Sequence, residues 1–123
     1  MGATIWIKSA EASDEELAED LSVICKEMLS LDKACEKLGA VKWSELMDSS
    51  IIAADFGEEL DPNTVDPMTL LNTISISKKA ISEGMINIHK DSLAGLNNEL
   101  DSAESTANTC YKRDELVRVL LMP

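Results

Sequence analysis

The chain has 123 residues, with 23 acidic and 11 basic side chains and a formal net charge of −12 at neutral pH. Apolar residues make up 45% of the sequence, so we expect one folded domain of modest size rather than a disordered chain. The negative charge argues against nucleic-acid binding, because that affinity comes mainly from Lys and Arg side chains that neutralise phosphates.

The N-terminal part is predicted to contain one strand and one long helix. Residues 4–8 are β-branched and aromatic, which is typical of a strand. Ser13 precedes Glu16 by three residues, the spacing of a capping box at a helix start. A helix is therefore predicted over residues 14–38, with Gly39 as the residue that ends it. Its apolar stripe recurs at steps of three and four: Leu17, Leu21, Ile24, Met28, Leu31, Cys35 and Leu38.

The middle of the chain is less regular. Residues 40–50 suit a short helical turn, with Trp43 anchored in the core. Residues 51–54 form a short apolar run. Residues 55–66 contain a glycine, the pair Asp61-Pro62, the aspartate of Asp66-Pro67 and further carboxylates, a composition that predicts an exposed acidic loop.

Two further helices and a terminal strand are predicted in the C-terminal half. Asp66-Pro67 is a good helix start, and Gly84 is a suitable end. One face of this helix is predicted to hold Met68, Leu71, Ile74, Lys78 and Ile81, with Leu70 beside it. Residues 73–77 also alternate as a strand would, so a strand there remains an alternative.

The last predicted helix begins with Asp91 or Ser92 as its cap. Its apolar stripe comprises Leu93, Leu96, Leu100, Ala103, Ala107 and Cys110. Residues 85–89 receive no assignment. Residues 116–122 suit a buried strand, with a continuing helix as the alternative. The expected fold class is α+β, mostly helical with three or so helices, and its short N- and C-terminal strands pair with each other or with a segment near Ile51.

The chain offers little catalytic chemistry. His89 is its one histidine, and a lone histidine is more often structural or exposed than catalytic. Cys25, Cys35 and Cys110 form no C-x-x-C pair, so we expect free thiols, no zinc site and no cofactor. The acidic loop does not match the ligand order of a calcium loop. We expect no enzyme activity and no bound metal.

The expected cellular compartment follows from two features that we do not find in the sequence. No apolar stretch approaches the roughly 20 residues of a membrane span. We also expect no signal peptide, because residues 1–7 are too short for one and lack a basic start. The cytoplasm is therefore the expected location, consistent with free thiols.

Composition favours a non-enzymatic binding protein, such as a small inhibitor or immunity protein that covers a basic protein partner with an acidic face. The carboxylates expected to contact the partner lie in two patches: Asp55, Glu58, Glu59 and Asp61 in the loop, and Asp14, Glu15, Glu19 and Asp20 at the helix start. One alternative is a homodimer or adaptor that associates through the Leu17–Leu38 stripe. A small enzyme that uses His89 or a cysteine with carboxylates is the third hypothesis.

Overall fold

The computed structural model describes residues 3–13 and 15–123. Within these residues the elements follow in the order β1 (Thr4–Ser9), α1 (Ser22–Lys26), α2 (Met28–Leu38), α3 (Trp43–Leu46), β2 (Met47–Asp48), α4 (Ser50–Asp55), α5 (Pro67–Ser82), α6 (Lys90–Lys112) and β3 (Val117–Met122). The helical majority and the small sheet confirm the predicted α+β class. No helix in this part of the chain is both long and apolar enough to cross a membrane.

The two terminal strands pair, as predicted. The sheet has the order β1-β3-β2, with β1 antiparallel to β3 from Thr4 opposite Met122 to Ser9 opposite Val117. The third strand, β2, pairs with β3 in parallel. It lies just before the apolar run at residues 51–54, which belongs to α4 instead of the sheet.

The main cluster of buried apolar residues lies on one face of this sheet. Side chains alternate along a strand, so Ile5 and Ile7 of β1 share a face with Val117 and Val119 of β3. Helix α6 packs on this side, beside α1 and α5. Its predicted stripe is confirmed from Leu96 onward, where the buried residues are Leu96, Leu100, Ala103, Ala107 and Cys110.

The predicted helix over residues 14–38 is wrong at its beginning. Helix α1 begins at Ser22 and ends at Lys26. Glu27 is not helical and separates α1 from α2, which continues to Leu38. Asp14, where the helix was predicted to begin, lies outside the described residues. Gly39 ends α2 with a φ of 80°, as predicted, in the left-handed region that favours glycine.

Tertiary hydrogen bonds explain why the chain before Ser22 is not helical. The buried Lys8 ammonium donates to the carbonyls of Ser13 and Glu16, at 2.7 and 2.8 Å. The Leu21 N–H donates to the Ile5 carbonyl on β1 at 2.9 Å. These contacts use backbone groups that a continuous helix would pair internally.

Helix α5 begins as predicted, and its buried face includes Ile74 and Leu70 of the predicted set but not Met68. The Asp66 carboxylate accepts a hydrogen bond from the Met68 N–H at 2.8 Å, and Pro67 is the first helical residue. Met68 is exposed and Lys78 is half-buried, whereas the buried residues of the helix are Pro67, Leu70, Thr73, Ile74, Ser77 and Ala80. The strand alternative for residues 73–77 is therefore wrong.

Two buried hydroxyls account for the polar character of that face. Thr73 donates to the Val41 carbonyl at 2.6 Å. Ser77 accepts from the indole N–H of Trp43 at 3.0 Å, and Trp43 is fully buried. A polar residue can face the core where it satisfies a buried partner.

The ends of the last two helices are set locally. Gly84 follows the end of α5 with a φ of 68°, as predicted. Helix α6 is capped by His89, whose Nδ1 accepts from the Asp91 N–H at 3.2 Å, rather than by Asp91 or Ser92. The predicted C-terminal strand is confirmed as β3, so the alternative of a continuing helix there is wrong.

Candidate functional site

The acidic segment, residues 55–66, leaves the end of α4 and is exposed over almost its whole length. Gly57 has a φ of 75°, and its N–H donates to the Ala54 carbonyl at 3.0 Å. The Glu58 N–H donates to the Ala53 carbonyl at 2.9 Å. This left-handed turn closes the helix and fixes the direction in which the segment departs.

The far end of the acidic segment is also attached to the fold. The Asn63 amide donates to the carbonyls of Leu46 and Met47, both at 3.3 Å. Val65 is buried and exchanges two backbone hydrogen bonds with Val117, at 2.8 and 2.9 Å. The segment is therefore a surface loop that is held by α4 at one end and by the region of β2 and β3 at the other.

Two apolar side chains project from the acidic segment into solvent. Phe56 is 79% exposed and Leu60 is 54% exposed. The four carboxylates predicted to contact a partner flank them and are exposed: Asp55, Glu58, Glu59 and Asp61. The apolar pair was missed by sequence reasoning, although Phe56 is one of only four aromatic residues and lies among acidic neighbours.

The carboxylates of this loop have no internal counterion in the described part of the chain. Ion pairs there involve Glu45, Asp48, Asp91, Asp101 and Glu104, and none involves Asp55, Glu58, Glu59 or Asp61. Their charge is therefore available to an external cation.

Two carboxylates of the second predicted patch make hydrogen bonds within the fold. Asp20 accepts a hydrogen bond from the indole N–H of Trp6 at 2.6 Å. Glu19 accepts from the hydroxyl of Ser102 on α6. Glu15 is exposed, and Asp14 lies outside the described residues. Within the described residues, no hydrogen bond or ion pair joins this patch to the acidic segment.

The apolar stripe proposed as a dimer seam lies mostly inside the chain. Ile24 and Leu31 are fully buried within one copy, so they are not available to a second copy. Leu17 is the exception, at 82% exposed. Packing within one chain, the simpler interpretation of this spacing, accounts for the stripe from Leu21 to Cys35.

The structure places His89 and the cysteines in structural positions. His89 caps α6 and is exposed. The three cysteines are free, with Cys35 and Cys110 buried and Cys25 half-buried. Burial raises the pKa of each thiol above its ordinary value, and Glu99 beside Cys25 and Glu115 beside Cys110 raise these two further. All three thiols are held in the protonated form, which is a poor nucleophile.

An open cleft of about 530 Å³ lies between α6 and the chain that follows β1; we call it the α6 cleft. Cys110 and four glutamates, Glu11, Glu16, Glu19 and Glu115, contribute to its lining. His89 is not among the lining residues. The cleft thus brings a cysteine and carboxylates together, as the enzyme hypothesis requires, but with the thiol protonated.

Among the described residues, no cluster of three or more His, Cys, Asp or Glu side chains could hold a metal ion. Comparisons with protein-family models, with curated proteins and with solved structures found no match to this chain.

Proposed function

We propose that this protein binds a basic protein partner through the acidic segment and blocks it, as inhibitor and immunity proteins do. The observation that carries the proposal is the exposure of Phe56 and Leu60 in a loop whose exposed carboxylates have no internal counterion in the described part of the chain. An exposed aromatic residue with a charged surround combines the two ingredients of a protein-binding surface.

The two kinds of side chain have different tasks in this proposal. The carboxylates attract a basic surface from a distance and so raise the association rate, an effect that salt screens. Phe56 supplies affinity after the encounter by entering an apolar pocket of the partner, since buried aromatic residues dominate interface energies.

Attachment of the loop at both ends favours binding. The turn at Gly57 and the hydrogen bonds of Asn63 limit the conformations that the acidic segment adopts before it meets a partner. A pre-ordered loop loses less conformational entropy on binding than a free one.

The test is affinity capture from lysate of the source organism with four baits, at low and high salt, read by mass spectrometry. The baits are the wild type, Phe56→Ala, the double variant Glu58→Gln/Glu59→Gln and the control Glu36→Gln/Glu83→Gln. The control removes the same charge from two exposed carboxylates outside the acidic segment. Purified target and bait are then compared in a binding assay.

We expect a basic protein that the wild type and the control retain at low salt and lose at high salt. Phe56→Ala and Glu58→Gln/Glu59→Gln should each weaken its binding about tenfold or more, since hot-spot side chains contribute at least about 2 kcal/mol. An equal loss of binding in the control variant would show that only net charge matters, and it would overturn the proposal. Recovery of bait alone, or of a second copy of the chain, would also count against it.

A further inference from the structure

One wall of the α6 cleft is a row of hydroxyls. Ser102, Ser105, Thr106 and Thr109 all line it, and their spacing of three and four places them on one face of α6. The Ser102 hydroxyl donates a hydrogen bond to the Glu19 carboxylate. Thr106 and Thr109 donate to carbonyls of their own helix, at 3.2 and 3.0 Å. A hydroxyl whose proton is committed retains only its lone pairs, so these three can accept but not donate.

The remaining polar groups of the cleft are mostly acceptors too. Ionised carboxylates only accept, and four glutamates contribute to the lining. Lys8 also lines the cleft, but its ammonium already donates to two backbone carbonyls, at 2.7 and 2.8 Å. The donors left in the lining are the third N–H of Lys8, the weak S–H of Cys110, the Ser105 hydroxyl and the exposed Arg113 side chain at the end of α6, which are fewer than the acceptors.

Three of the buried residues that line the cleft are apolar. Ile7, Leu21 and Ala103 contribute to the lining. None of the aromatic side chains in the described residues lines it, so the cleft offers no stacking platform for a planar ring. Its volume of about 530 Å³ lies within the range of about 300–1,000 Å³ found for small-molecule sites.

We propose that the α6 cleft binds a small aliphatic amine. Ammonium groups carry several N–H donors and a positive charge, which match a lining rich in acceptors and carboxylates. The methylene stem lies over Ile7, Leu21 and Ala103, as long cationic side chains do on apolar surfaces. This site is separate from the acidic segment and does not depend on its function.

The test is an NMR titration of the full chain with spermidine, at a salt concentration of about 150 mM, where charges more than about 8 Å apart are largely screened. We expect saturable amide shifts, with one molecule bound per chain, at residues of β1, the chain that follows it and the C-terminal half of α6. The acidic segment should shift little.

Neighbouring glutamates provide a matched pair of variants. Glu16 lines the cleft, whereas the exposed Glu15 beside it does not. Glu16→Gln leaves in place the backbone carbonyl that holds Lys8, so the fold should persist. We expect Glu16→Gln to weaken spermidine binding about tenfold, as for loss of one charge-assisted hydrogen bond, and Glu15→Gln to leave it within about twofold.

A steric pair separates the cleft from general surface charge. Ser105→Trp fills the mouth of the cleft and should abolish the shifts, whereas Asn108→Trp, at an exposed α6 position outside the lining, should not. Equal effects within either pair of variants, shifts spread over all acidic residues, or no saturable binding would overturn the proposal.

Discussion

Arg118 on β3 and Asp48 on β2 form a buried ion pair, with 2.7 Å between the Arg118 Nε and the Asp48 Oδ2. The Asp48 side chain is fully buried and that of Arg118 is 8% exposed. The other carboxylate oxygen of Asp48 accepts a hydrogen bond from the Ser50 N–H at 2.9 Å. This hydrogen bond lies where the chain passes from β2 into α4. One aspartate thus joins the short parallel strand to the central strand and starts the next helix.

Replacing this aspartate should be strongly destabilising. Asp48→Asn removes the buried negative charge beside Arg118, and breaking a buried pair costs about 3–5 kcal/mol in the free energy of unfolding. Urea unfolding followed by circular dichroism measures the loss. Asp55→Asn, the same change at an exposed position, should stay within about 0.5 kcal/mol of the wild type. Similar stabilities for the two variants would contradict the structural role of the pair.

The same carboxylate predicts an acid-dependent loss of stability. Burial alone would raise the pKa of Asp48, but hydrogen bonds from Ser50 and Arg118 outweigh it and hold the pKa below its ordinary value. The unfolded chain therefore takes up this proton first as the pH falls. The stabilisation is complete above the unfolded pKa of about 3.9 and is lost as the pH falls through the lower folded value.

Unfolding measured at a series of pH values checks this sign. The difference in unfolding free energy between the wild type and Asp48→Asn should be constant from about pH 7 to about pH 5 and shrink below about pH 4. Because the other carboxylates are common to both proteins, the difference isolates Asp48. A gap that stayed constant to about pH 2 would show that its pKa is not lowered.

Helix α1 depends on a residue far along the chain. The Glu99 carboxylate on α6 accepts hydrogen bonds from the Val23 and Ile24 N–H groups, at 3.2 and 2.9 Å. Glu99→Ala should therefore cost about 1 kcal/mol, as for loss of a helix cap, and speed hydrogen exchange of these two amides. Asn98→Ala, at the exposed neighbouring position, should change neither quantity. Unchanged exchange in Glu99→Ala would rule out the cap.

These contacts explain which parts of the fold could be predicted from sequence. Local sequence patterns correctly predicted both terminal strands. They also predicted the helix start at Asp66 and the helix ends at Gly39 and Gly84, because these features depend on residues close in sequence. The start of α1 depends on Glu99, 75 residues from Ile24, and no local pattern in the chain indicates that contact. The capping-box spacing before it therefore predicted a helix start that tertiary contacts override.

Burial of polar residues was the second source of error. Ser77 lies in the core because the Trp43 indole needs an acceptor, and hydrophobic periodicity assigns a serine to the surface. For the candidate site, composition predicted the exposed acidic loop. Composition could not predict the hydrogen bond from the Trp6 indole to the Asp20 carboxylate, because this bond depends on the packing of two distant segments.

Thiol reactivity distinguishes structural from nucleophilic cysteines. Burial raises the pKa of all three thiols, so each should react more slowly with iodoacetamide at about pH 7 in the native protein than after unfolding in urea. Cys25 is half-buried and should be labelled first, whereas Cys35 and Cys110 are buried and should be protected. Peptide mass spectrometry of timed samples gives the order. Rapid native labelling of Cys110 would instead indicate an activated thiolate in the α6 cleft and favour the enzyme hypothesis.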